Sequence, residues 1–116
     1  NLQGGRMMGG MGETSHLVDE VVERLRSVST PARVILFGSV ATGDATEDSD
    51  LDLLVLFDAV VDSRDESVRL REALGDIDMP VDVIVMSTAR FEETKDVIGG
   101  LAYPAHKYGQ VIYEAA

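Results

Sequence analysis

The chain has 116 residues, 45% of them apolar and 27% charged, with 21 acidic against 10 basic side chains and a formal net charge of −11. That length and balance fit one globular domain with a real core; they exclude a disordered chain, and the acidity argues against a nucleic-acid polymer as substrate, because phosphate backbones are bound through Lys and Arg. Without cysteine there are no disulfides, no apolar run approaches a membrane span, and no secretory signal is recognisable, which gives a cytoplasmic expectation. Residues 1–12 are rich in Gly and Met and lack a period. They are read as a tag remnant or disordered start, and residues 13–116 as a single domain.

Thr14 or Ser15 offers an N-cap, and Leu17, Val18, Val21, Val22, Leu25 and Val28 then recur at helical spacing. That pattern predicts an amphipathic helix whose work is packing. Pro31 punctuates, and Ala32 to Phe37 is the first strand. Gly38 has no Cβ and can turn sharply beside a ligand, while Ser39 adds a hydroxyl at the expected N-cap of a short helical turn through Val40 and Thr42. A polar loop over Gly43 to Ser49 leads to the second strand, Leu51 to Phe57, apolar on both faces apart from Asp52 and therefore central.

Ser63 to Glu66 has the form of a capping box, opening a helix to about Leu74 with Gly75 at its end. Val81 to Met86 is the third strand, with Asp82, Ile84 and Met86 on one face. Ser87 is expected to cap a helix through Phe91, Val97 and Ile98, stopped by Gly99 and Gly100. A short helix restarts near Pro104, and Gln110 to Glu114 is a last edge strand.

The chemistry gathers at Gly38-Ser39 and, ten residues on, Asp50-Leu51-Asp52. On a strand, Asp50 and Asp52 share a face, and two adjacent carboxylates call for a cation; hard oxygen ligands suit Mg²⁺. Taken alone, the run Asp48, Asp50, Asp52 reads as a solvated acidic turn. Asp52 among Leu51, Leu53 and Leu54, and Asp82 between Val81 and Val83, each spoil an apolar run in a way packing does not explain. If the third strand lies beside the second, Asp82 faces Asp50 and Asp52.

Gly38-Ser39-Val40-Ala41-Thr42-Gly43 with Ser49-Asp50-Leu51-Asp52-Leu53 resembles the signature of the polymerase-beta-like nucleotidyltransferase superfamily. The likeness is to its minimal, MNT-type members, antitoxins of HEPN-domain toxins. The resemblance implies an α/β (α+β) fold with a central mixed sheet of about four strands flanked by helices. It implies an enzyme that moves AMP from ATP to a hydroxyl, with a tyrosine of a partner HEPN toxin as acceptor. Asp50, Asp52 and Asp82 would be the catalytic carboxylates and the ligands of two Mg²⁺ ions. Gly38, Ser39 and Thr42, with Asp50 and Asp52, would bind the nucleotide. Family members often carry basic residues around the Gly-Ser turn, whereas this chain has Val40 and Thr42, so neutralisation of a triphosphate falls more heavily on Mg²⁺. The alternative reading is a non-catalytic antitoxin that neutralises its partner by contact, to which the acidic surface would suit a basic partner. A nucleotide sensor without transfer is a third.

Overall fold

The computed structural model describes residues 9–38, 50–60, 62–75, 77 and 80–115. Helix α1 spans Gly9–Val28, strand β1 Arg33–Phe37, β2 Leu51–Phe57, helix α2 Ser63–Ala73, β3 Val81–Ser87, α3 Thr88–Thr94, α4 Ala102–Tyr108 and β4 Gln110–Glu114. The strands form one sheet in the order β3-β2-β1-β4. β1 pairs antiparallel with β2 and β4, and β2 pairs parallel with β3. This is the mixed four-stranded sheet flanked by helices that the sequence led us to expect.

Side-chain alternation divides the core into two layers. Leu51, Leu53, Val55 and Phe57 of β2 join Val34 and Leu36 of β1 and Val83 and Val85 of β3 against Val21 and Leu25 of α1 and Leu70 and Leu74 of the α2 segment. On the other face Leu54 and Leu56 join Ile35 against Phe91 of α3 and Ala102 and Ala105 of α4. β2 is thus covered on both sides, which is why its sequence is a nearly unbroken apolar run. Asp52 interrupts it on the α3–α4 face, by its parity with Leu54 and Leu56.

The parallel β2–β3 pair needs a crossover, and α2 supplies it. Leu51 N donates to Pro80 O at 2.8 Å, carrying the ladder one step beyond β3. Pro80 has no N–H to offer, and its place just ahead of the edge strand leaves no ladder bond unmade. At the opposite edge β4 is paired on one side, with a bulge between Val34 and Ile35 where the partner shifts from Tyr113 to Val111. No described helix is long and apolar enough to cross a membrane.

Several boundaries differ from the sequence reading. α1 begins at Gly9 rather than at Thr14, extending through three glycines that local helix propensity does not favour. The N-cap of α2 is Asp62, whose carboxylate accepts from Arg64 N and Asp65 N at 3.0 and 3.2 Å, which places Ser63 inside the helix. Val68 of α2, though apolar, is 48% exposed. Ser87 does cap α3, accepting from Arg90 N. That helix ends at Thr94, however, leaving Val97 and Ile98 outside it, with Ile98 in a turn and 81% exposed. α4 starts two residues before Pro104, because proline in a first helical turn removes an N–H that has no intrahelical acceptor.

Candidate active site

The candidate site is built where β1 ends and β2 and β3 begin. In the parallel register Asp52 stands directly opposite Asp82, and in the antiparallel register it stands opposite Phe37, the residue before Gly38. Three segments distant in sequence therefore meet at one sheet end. Asp50, two residues before Asp52, is exposed, Asp52 is partly buried and Asp82 is exposed.

Gly38 is required here for two separate reasons. Its φ of +80° lies in the left-handed region that side chains disfavour. A Cβ at this position would also overlap the Asp52 carboxylate, so any other residue would push that carboxylate aside. The turn and the acid are fitted to each other.

The Asp52 carboxyl is held above the ordinary carboxylate range, chiefly by burial and further by repulsion from Asp82 and Asp50. Such a group lacks positive charge, and a divalent cation with hard oxygen ligands would relieve it. The chemistry of Asp50, Asp52 and Asp82 thus fits a divalent metal. Among the described residues, though, no three acidic or imidazole side chains are already drawn into a metal-holding cluster.

Ser39 and Thr42, expected to hold phosphates, lie outside the described residues, as do the expected short helix after Gly38 and the loop over residues 43–49. Arg71, near the end of α2, was not among the candidates read from the sequence. Its Nη2 donates to Asp82 Oδ1 at 3.2 Å. The only sequence signal for it is position: the last turn of a crossover helix leads to the start of the next parallel strand, where Asp82 lies. Lys95 is paired with Glu92 at 2.9 Å. His106 sits 3.7 Å from Asp96 and edge-on to Phe91, its rings 6.2 Å apart, on the α3–α4 layer.

Helices cover both faces of the sheet, a glycine turn packs against the Asp52 carboxylate, and Asp82 stands on the neighbouring strand. Residues 18–102 match the nucleotidyltransferase domain family, and the chain belongs to that family and is a nucleotidyltransferase. Its fold is similar to a solved toxin–antitoxin complex with AMP-PNP, at 19% identity and a TM-score of 0.60, covering 84% of this chain and 73% of the other. It is also similar to a tri-AMPylated Shewanella oneidensis HEPN toxin in complex with MNT antitoxin (17% identity, TM-score 0.58, 88% and 73% covered). A third likeness is to a nucleotidyltransferase-type protein from Sulfolobus solfataricus (20% identity, TM-score 0.61, 95% and 91% covered). No curated protein sequence matches the chain.

Proposed function

We propose that the protein is a Mg²⁺-dependent adenylyltransferase that moves AMP from ATP to a hydroxyl, a tyrosine of a HEPN-type toxin, and so acts as its antitoxin. The observation that carries this reading is the parallel register that sets Asp52 beside Asp82, with Gly38 packed against the Asp52 carboxylate. The likeness to toxin–antitoxin complexes, one with AMP-PNP and one with an AMPylated toxin, supports the donor and the partner.

In this proposal Gly38, Ser39 and Thr42 hold the phosphates, while Asp50, Asp52 and Asp82 hold Mg²⁺. Bound there, Mg²⁺ supplies positive charge to the attacking oxygen and the departing pyrophosphate. The acceptor oxygen bonds to the α-phosphorus of ATP as the bond to the α–β bridging oxygen breaks. Pyrophosphate leaves with that electron pair, and Asp82 takes the hydroxyl proton. Positioning and charge neutralisation account for the rate, since the protein forms no covalent bond to substrate.

The test is the intact mass of a HEPN-type toxin partner, after incubation with the protein, ATP and Mg²⁺. One or more added AMP units, absent with Asp50→Asn/Asp52→Asn, are the expected result. An unmodified toxin held in a tight complex would overturn transfer and make neutralisation a matter of contact, which the acidic surface would serve.

A further inference from the structure

In a chain with 10 basic residues against 21 acidic ones, each cation placed at an acidic site has a local role to explain. The described pairs Arg24–Glu20, Arg69–Glu66 and Lys95–Glu92 join neighbours on single helical turns, and Arg33–Glu114 joins facing residues of paired strands. These are the ordinary pairings of surface charge. Arg71–Asp82 differs: among the described ion pairs it alone holds a candidate site carboxylate, and it ties the crossover helix to the edge strand.

We infer that Arg71 is the resident counter-ion of Asp82, a positioning residue that a divalent cation must displace before Asp82 can become its ligand. The inference rests on the metal-dependent reading above. Both side chains are about half exposed, 51% and 54%, so water competes for the guanidinium and the pair is weak enough to open. A doubly charged ion with a preference for carboxylate oxygen outcompetes a single guanidinium hydrogen bond at the same atom. The Arg71 guanidinium places one positive charge beside Asp82 while no metal is present. The consequence is a metal affinity set lower than the carboxylates alone would give.

The experiment titrates Mn²⁺ alone, without nucleotide, into the full chain and reads free Mn²⁺ by electron paramagnetic resonance. Arg71→Gln should bind Mn²⁺ about two- to fivefold more tightly than wild type, the range expected when a weak competing pair is removed. Arg64→Gln removes the same charge two turns up the same helix, away from Asp82, and should leave the affinity unchanged. Unchanged or weaker binding by Arg71→Gln, or an equal gain in Arg64→Gln, overturns the inference. A wild-type protein that binds no Mn²⁺, or an Asp52→Asn variant that binds it as wild type does, overturns the metal reading and this inference with it.

Discussion

Asp52 is a carboxylate carried by a strand otherwise made of Leu, Val and Phe. Burial and the charges of Asp82 and Asp50 keep its pKa above its usual value near 3.8. In the unfolded chain it ionises near that value, while in the folded protein it keeps its proton to higher pH. Between the two, the folded state binds more protons, so this residue's contribution to stability is lost as pH rises through the folded pKa. Above that folded pKa the metal-free protein carries an unfavourable charge. Asp52→Asn should raise the melting temperature in EDTA at pH 7, by an amount kept small by solvent screening of a partly exposed group. That advantage should shrink as pH falls back through the folded pKa toward 3.8. Thermal melts across pH check it, and a variant that melts below wild type at pH 7 would disprove it. The oddity of Asp52 and Asp82 was legible in sequence because each breaks an apolar run. Arg71 was not, because a charged residue on an exposed helix turn looks like any other until the strand order is known.

At the scale of elements, sequence patterns located all four strands and the four described helices but misplaced several ends. Periodicity reports which face is buried, whereas an end depends on which side chain reaches which free N–H. For α2 two adjacent residues were both able to cap, and Asp62 does so. Asp62→Ala should then destabilise the protein by about 1 kcal/mol in urea denaturation, and Ser63→Ala by less than about 0.5 kcal/mol. The reverse order would restore the capping box to Ser63. Val97 and Ile98 misled for a different reason: apolar residues at helical spacing after Phe91 imitate a continuing face. The chain leaves the helix at Thr94 and reaches Gly99 in the left-handed region, φ +91°.

Across the whole molecule, stability rests on a sheet covered on both faces, and β2 lies at its centre. Leu53, fully buried in the α1–α2 layer, should cost about 3 kcal/mol when replaced by Ala, from lost apolar transfer and the cavity left behind. Ile98→Ser, at an 81% exposed position, should change stability by less than about 0.5 kcal/mol. Equal losses in denaturant titrations of the two variants would contradict the layer assignment. The fold class was legible because a continuous apolar strand between helical patterns implies a sheet covered on both sides. The antiparallel β1–β4 pair was not, since its bulged register joins strands more than seventy residues apart and no local pattern encodes it.

The parallel register of β2 and β3 has a consequence for how such a chain can change in length. Asp82 faces Asp52 because the crossover through α2 returns the chain in step. A slip of one residue would turn Asp82 to the opposite face of the sheet. Insertions and deletions within residues 58–80 are therefore constrained by the need to return Asp82 in step with Asp52, whereas the connection from α3 to α4, which delivers no such side chain to that sheet end, is free to drift.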